Sequence, residues 1–429
     1  MCNDTENIGS KRNFVLNIPE EAYEEDLSEL NNTQDNDEID STTYTAENHS
    51  NISVPIKEIE DIDKNDMASE QDIENEDDSN TIKYDEDIKA SNKKTKKKRL
   101  GIKNIVLRCL LCLFTTIAIL VGGILGAVTI INYGPSSHAR DLFVTTVMET
   151  SAAKFLATWY FSDEEIKQIR NNNTVKPVDE QTDTDLIHVD NNKNPEFDKN
   201  KVEVVRISAK KYKGVMLIVN DPSKVFVGTI PVFDKEKSGK TVTQMVKDNN
   251  CVAGINAGGF DDPGGVGKGG VPLGIVISEG KLKYGGLSST YDMCGFDKEG
   301  KLHVGKMTGQ QALDKGIRDA VSFGPTLIVN GNPSEISGTA GGWNPRTAIG
   351  QRADGSVLLL VIDGRQSDSI GATYGDLIQE MLKFDAVNAY NLDGGTSSHM
   401  VYKDEIITSC SSLYGTRKMP TAILVKGDN

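Results

Sequence analysis

From Val202 to the C-terminus, short apolar runs alternate with clusters of Gly, Asn and Asp. Runs of that length bounded by turn residues predict strands: Val202 to Ile207, Val215 to Val219, Val225 to Ile230, Val252 to Ile255, Leu273 to Ile277, Met293 to Phe296, Thr326 to Val329, Ala348 to Gln351, Val357 to Ile362, Val387 to Leu392, His399 to Val401 and Ala422 to Val425. Glu279-Gly280 and Ala353-Asp354-Gly355-Ser356 have the chemistry of hairpin turns. Helical spacing is rarer: Val242 to Asp248 behind Thr241, Gln310 to Leu313, and Tyr374 to Phe384. The pattern predicts an α+β fold, a β-rich mixed-sheet domain with few helices over residues 202–427.

Upstream the pattern changes twice. Cys109 to Ile131 carries no charged side chain, and a helix of that length reaches about 35 Å against a bilayer core of about 30 Å. Residues 102–131 are therefore read as one transmembrane helix, too long and too far from the N-terminus for a cleaved signal peptide. Over 135–171 a helical stalk is expected. Pro135-Ser136-Ser137 starts it, Leu142, Phe143, Val147, Met148, Phe155, Leu156 and Trp159 recur as an apolar stripe, and Ser162-Asp163-Glu164-Glu165 opens a second helix as a capping box. The stripe suits docking on the downstream domain, packing on the outer leaflet, or self-association through the stalk helix into a homo-oligomer. The Asn- and Asp-rich stretch 172–201 reads as a linker.

Charge settles the ends of this layout. The net charge of -16 is concentrated in residues 1–92, which carry -21; the run Lys93 to Arg99 adds +6 and the remainder is close to neutral at -1. Residues 1–100, acidic and poor in aromatics, are expected to be a disordered tail ending in a basic juxtamembrane run. That run precedes the apolar helix, so the positive-inside bias places the tail in the cytoplasm and the domain outside, a single-pass type II arrangement. Nothing in the near-neutral domain suggests nucleic acid as a partner. Cys2 lies in the tail, Cys109 and Cys112 in the span, and Cys251, Cys294 and Cys410 beyond it. These spacings make neither a disulfide framework nor a zinc site, and Cys251 is expected as a buried, unpaired thiol.

Three features carry candidate chemistry. Asn256-Ala257-Gly258-Gly259-Phe260-Asp261-Asp262 follows a buried strand and runs on through several more glycines, a composition that permits positive φ and leaves backbone N–H groups for an anion. Arg346, in Asn344-Pro345-Arg346-Thr347-Ala348, offers a planar two-point fork for phosphate or carboxylate. Asp363, before Gly364-Arg365, and Asp393, before Gly394-Gly395-Thr396-Ser397-Ser398, end two apolar strands joined by a helix. Strand, helix, strand brings both carboxylates to one edge of a sheet.

In series, Asn256 to Phe260, Arg346 to Gly350, Asp363-Gly364 and Asn391-Leu392-Asp393-Gly394-Gly395 with Ser397-Ser398 resemble the phosphodiester glycosidase family, over roughly Val202 to Lys426. Two positions depart from its pattern. The family often has Asn-Gly-Gly-Phe-Phe at the first motif, and a third glycine where this chain has Thr396. The resemblance implies a hydrolase that frees a sugar from a sugar-1-phosphodiester; no cofactor and no metal ligand is assigned. The membrane-anchored layout is similar to bacterial members of exopolysaccharide or cell-wall metabolism, so the implied partner is an envelope glycan or sugar-phosphate polymer. Carried onto this sequence, Asp393 acts at the anomeric centre as nucleophile or base, with Asp363 or Asp261 as its partner. Arg346 and the loop with Gly258 and Gly259 hold phosphate, and Asn256, Arg365, Gly394, Gly395, Ser397 and Ser398 line the substrate; His399 merely ends a strand. Two alternatives stand beside this: a metal-dependent phosphodiesterase using Asp261, Asp262, Asp363 and Asp393, and a non-catalytic module that binds envelope glycan.

Overall fold

The computed structural model describes residues 101–189, 198–265, 267–409, 411–412 and 415–427. The expectations for the tail, Cys2, Cys410 and residues 190–197 of the linker lie outside the described residues.

The domain after residue 202 is β-rich with few helices. A seven-stranded sheet runs in the order Val202–Ser208, Lys213–Val219, Val357–Ile362, Arg346–Arg352, Ala386–Leu392, Thr326–Val329, Asn332–Pro333. One five-stranded sheet contains Cys251–Asn256 between Met400–Tyr402 and Thr421–Lys426, and a second contains Thr290–Phe296 between Leu302–Thr308 and Asp319–Ser322. Among the described residues neighbouring strands pair antiparallel throughout, rather than in the expected mixed sheet. Val357–Ile362 and Ala386–Leu392, joined by the helix Tyr374–Lys383, do run parallel to each other, but Arg346–Arg352 lies between them and pairs antiparallel with both. That insertion sets the distance between the two aspartates at their ends.

Burial explains why Val357 to Ile362 is a continuous apolar run rather than an alternating one. Val357, Leu359 and Val361 face the cluster shared with the two smaller sheets, while Leu358, Leu360 and Ile362 face the cluster under the helix Tyr374–Lys383. A strand covered on both faces needs apolar side chains on both. Lys281–Tyr284, Leu302–Thr308 and Asp319–Ser322 are strands that the apolar pattern did not reveal, because charged residues, His303 and Gly305 interrupt it.

The helix Ile102–Tyr133 is long and apolar enough to cross a membrane. The first of the two expected stalk helices breaks into Ser137–Met148 and a single turn Phe155–Thr158, and the second, Asp163–Asn172, is capped by the expected Ser162/Glu165 box. Val144, Val147, Ala157, Ile166 and Ile169 close on one another, with Phe143, Met148 and Leu156 of the stripe packed against them, while Phe155 and Trp159 stay exposed. The expected linker is also tied down over its described part: Lys176 N–H donates to Glu335 O at 2.7 Å, Thr182 Oγ1 to Val304 O at 3.2 Å and His188 N–H to Ala353 O at 2.8 Å. It lacks periodicity because it lies along the domain surface as a strap, exchanging hydrogen bonds with loops rather than forming an element of its own.

Candidate active site

The strand Cys251–Asn256 delivers Asn256 fully buried to the point where two sheets meet. Its side-chain N–H donates to the Asp393 carbonyl, and its Oδ1 accepts from Thr347 Oγ1 at 2.8 Å and from His399 N–H at 3.3 Å. The Asp393 N–H donates to Ala257 O at 3.0 Å. Asn256 is therefore a weld between three strand ends, and it fixes the backbone of Asp393 from both sides.

That leaves the Asp393 carboxylate as the group presented. Its Oδ1 accepts from the Gly394 N–H at 2.9 Å. Burial pushes its pKa up to about 6, against the pull of the Ser397 hydroxyl, the Gly394 N–H and the positive charge of Arg417, with Asp262 adding to the rise. A carboxyl at that value changes charge near neutral pH. Next to it Gly395 has φ +62°, a left-handed conformation that favours glycine, and a Cβ there would stand 3.3 Å from Arg365 Nη2.

Two arginines border this turn. Arg365 Nη2 donates to Asn344 Oδ1 at 2.9 Å and to Glu149 O at 3.3 Å, while its Nε is buried without a protein partner. Arg417, which the sequence reading missed, pairs with Asp262 Oδ1 at 2.7 Å, reaches Thr396 Oγ1 at 3.4 Å and stacks over Phe260 at 5.3 Å. Its signal was slight, one arginine in a glycine-flanked loop before the last strand. Ser398 Oγ and His399 Nε2 are also buried without a partner. His399 Nδ1 lies 2.8 Å from the Ser397 carbonyl, so it is the donor and the Nε2 lone pair is free; burial lowers the ring's pKa and keeps it neutral. The polar atoms around Asp393 thus have hydrogen-bonding capacity left for a polar ligand.

Arg346 is not placed as the sequence suggested. Its side chain is 3% exposed, and Nε donates to Ala372 O at 3.0 Å, Nη2 to Gly341 O and Gly342 O at 3.0 Å each, while Nη1 lies 2.9 Å from Glu149 Oε2. The plane stacks 4.2 Å over Tyr374. Burial pulls its pKa down but the Glu149 carboxylate more than compensates, so the guanidinium stays charged. With its fork engaged by backbone carbonyls and by a stalk carboxylate, it is a structural clamp rather than an open phosphate fork. Glu149, unnoticed in the sequence, also accepts from Asn344 Nδ2 at 2.9 Å, and so draws the end of the helix Ser137–Met148 onto the domain.

The glycine loop is likewise packed. Gly259 N–H donates to Ser322 O, Asp261 N–H to Val271 O, and Gly267 N–H to Asp262 Oδ1, at 3.1, 2.9 and 2.6 Å. These N–H groups serve the loop itself and are not aimed at an anion. Gly258 and Gly259 are needed for close approach: a Cβ would meet Ser322 O at 2.9 Å in one case and the Phe323 ring at 3.0 Å in the other. Asp363 shares the sheet edge with Asp393, as Ile362 opposite Arg346 and Leu392 opposite Thr347 require, but two strand spacings, about 10 Å, separate them. Its Oδ1 accepts from Ser409 N–H at 2.9 Å, and burial raises its pKa. Among the described residues no three His, Cys, Asp or Glu side chains converge as a metal site would need, so Asp261, Asp262, Asp363 and Asp393 do not form the ligand set of the metal alternative.

Comparison with known proteins places these features. Residues 249–426 match the family model for phosphodiester glycosidase, a span that begins well after Val202 although the earlier strands complete the same sheets. The SPbeta prophage-derived uncharacterized protein YomE of Bacillus subtilis is 30% identical over 206 residues, 44% of this chain and 29% of that protein. The N-acetylglucosamine-1-phosphodiester alpha-N-acetylglucosaminidase of Bos taurus is 29% identical over 185 residues, 38% of this chain and 34% of the cow protein. The chain thus spans about a third of the length of these relatives. Among solved structures, the catalytic domain of the zebrafish N-acetylglucosamine-1-phosphodiester alpha-N-acetylglucosaminidase, auto-inhibited by its pro-peptide, superposes with a TM-score of 0.47 at 21% identity, covering 55% of this chain and 86% of that one. The part of the chain that contains Asn256, Asp393 and Arg417 is thus similar to the phosphodiester glycosidase family.

Proposed function

We propose that this protein hydrolyses a sugar-1-phosphodiester of the cell envelope, with Asp393 acting at the anomeric carbon and Arg417 and Arg365 holding the phosphate. The observation that carries this reading is the turn Asp393-Gly394-Gly395: a carboxyl of raised pKa beside a glycine bend that lets a sugar ring approach, flanked by Arg365, whose Nε is buried without a protein partner, and by Arg417, which is paired with Asp262. In the reaction water adds to C1, the bond from C1 to the phosphate oxygen breaks, and a phosphomonoester leaves. As base, Asp393 takes the proton of the attacking water; as nucleophile it attacks C1 first and water later frees the sugar. The leaving phosphate is weakly basic, so the site needs an anion clamp more than a strong acid, which suits two arginines. Asn256 acts through Asp393, by holding its backbone. The names of the mammalian relatives suggest an N-acetylglucosamine-1-phosphodiester as the first substrate to try.

The apolar helix and the basic run before it support a membrane-anchored enzyme whose domain lies outside the cell. The test of the activity is to incubate the purified full chain with model sugar-1-phosphodiesters and to assay the products. Free sugar with phosphomonoester supports the glycosidase; sugar phosphate with free alcohol marks a phosphodiesterase; no turnover with retained glycan binding returns the reading to a binding module.

A further inference from the structure

We infer that the single turn Phe155–Thr158, with Trp159, is a second membrane contact: an aromatic wedge seated in the headgroup region of the leaflet where the apolar helix ends. This rests on reading Ile102–Tyr133 as a membrane span. The turn is not adjacent to that helix in sequence; tertiary structure brings it there. Tyr160 Oη lies 2.9 Å from Thr129 Oγ1 and 3.4 Å from Leu125 O, and Tyr133 Oη donates to Tyr160 O at 3.3 Å. Leu125 is eight residues before the helix end, about 12 Å along the axis, so the Tyr160 side chain lies along the last two turns of the apolar helix, while Asn132 Nδ2 donates to Leu156 O at 3.5 Å and sets the turn itself at the helix end. Anything packed at that depth beside a membrane span meets the boundary between acyl chains and headgroups.

The side chains of the turn divide accordingly. Ala157 is fully buried and Leu156 half-buried against the stalk, whereas Phe155 and Trp159, four residues apart and therefore on one face, are 42% and 67% exposed and stack on each other at 4.8 Å. Tyr133 at the helix end is 67% exposed, and its ring lies 5.8 Å from that of Tyr160, the residue after Trp159. Large amphipathic rings at this level are what a bilayer interface favours, and the neighbouring exposed Lys154 has a stem long enough to reach lipid phosphates. The occupant is thus a lipid surface, by continuity with the span itself.

The contact has a consequence for the candidate site. Glu149 and Ser151 touch that site, the first through Arg365, Arg346 and Asn344, the second at Gly265, where a Cβ would fall 2.7 Å from Ser151 Cβ. From Ser151 to Phe155 the chain extends at most about 14 Å. Seating the turn on the bilayer therefore holds the glycine loop within reach of membrane-proximal glycan and fixes its orientation, which one transmembrane helix alone would leave free to swivel.

The chain has two tryptophans, so Trp343→Phe leaves Trp159 as the sole emitter. The full chain carrying that substitution is reconstituted in phosphatidylcholine and phosphatidylglycerol vesicles, and Trp159 emission is measured with lipids brominated near the acyl carbonyls and with aqueous acrylamide. We expect at least twofold quenching by the shallow bromines and weak quenching by acrylamide. Acrylamide quenching without bromine quenching, in protein that floats with the vesicles, overturns the wedge and leaves the span intact. Shielding from both quenchers means a protein partner covers the turn, and also overturns it. Failure to float overturns span and wedge together.

Discussion

The carboxylate of Glu149, at the end of the stalk helix, lies 2.9 Å from the guanidinium of Arg346, at the start of a central strand, and both are buried or nearly so. Arg346 thus faces the stalk, not open solvent. We predict that Arg346→Lys, which keeps the charge but cannot reach Ala372, Gly341, Gly342 and Glu149 together, destabilises the domain by about 3 kcal/mol, as breaking a buried pair does. Thermal unfolding should show a loss of roughly 6–12 °C for a domain of this size. In a double-mutant cycle with Glu149→Gln the two effects should be far from additive. Turnover per folded molecule that drops on charged phosphodiesters, with unchanged melting, would return Arg346 to the phosphate.

Asp393→Asn should separate stability from chemistry. The amide is nearly isosteric but can act neither as base nor as nucleophile, so turnover should fall by several orders of magnitude. Because the folded state holds the Asp393 proton more tightly than the unfolded chain does, ionisation at pH 7 costs stability, about 1–2 kcal/mol after allowing for solvent around a half-buried group. The variant should therefore melt at the wild-type temperature or above it. A folded, active variant would remove Asp393 from the mechanism.

The pH profile follows from the same group. With its pKa at about 6, Asp393 is ionised above that value and protonated below it. If it serves as base or nucleophile, kcat/KM should be flat near neutrality and fall about tenfold per unit at pH well below 6. The sign for stability is opposite: this carboxyl's contribution is greatest at low pH and is lost as pH rises toward 6. A rate that instead falls as pH climbs through 6 would make Asp393 the acid.

Arg417 should behave as an anion holder. Replacing it by Gln removes the charge beside Asp262 and Thr396. KM for a charged phosphodiester should rise at least tenfold, about 1.4 kcal/mol, while a neutral aryl glycoside of the same sugar should be affected much less. Equal loss on both substrates would assign Arg417 to holding the loop through Asp262 instead.

Much of this protein is local and was readable as such. Thr326–Val329 and Val357–Ile362 fall where their apolar runs do, the Ser162/Glu165 box starts its helix, and Glu279-Gly280 makes its hairpin with positive φ at both residues. Each depends on side chains a few positions apart, so its physics is contained in a short window of sequence. The long apolar helix Ile102–Tyr133 and the glycines after Asp393 belong to the same class. What tertiary structure decided is which distant groups meet. A sequence identifies Arg346 as a fork but not whether the fork is filled by Glu149 and three carbonyls, and it identifies two strand-end aspartates but not the strand inserted between them. Arg417 in a plain loop and Glu149 at a helix end carry no periodic signal, because their partners are fixed by long-range packing of sheets and stalk. The motifs pointed to strand ends around Asp393 from sequence alone; only the fold engaged Arg346 with Glu149 and backbone carbonyls, set Arg417 beside Asp262 and laid Tyr160 against the apolar helix.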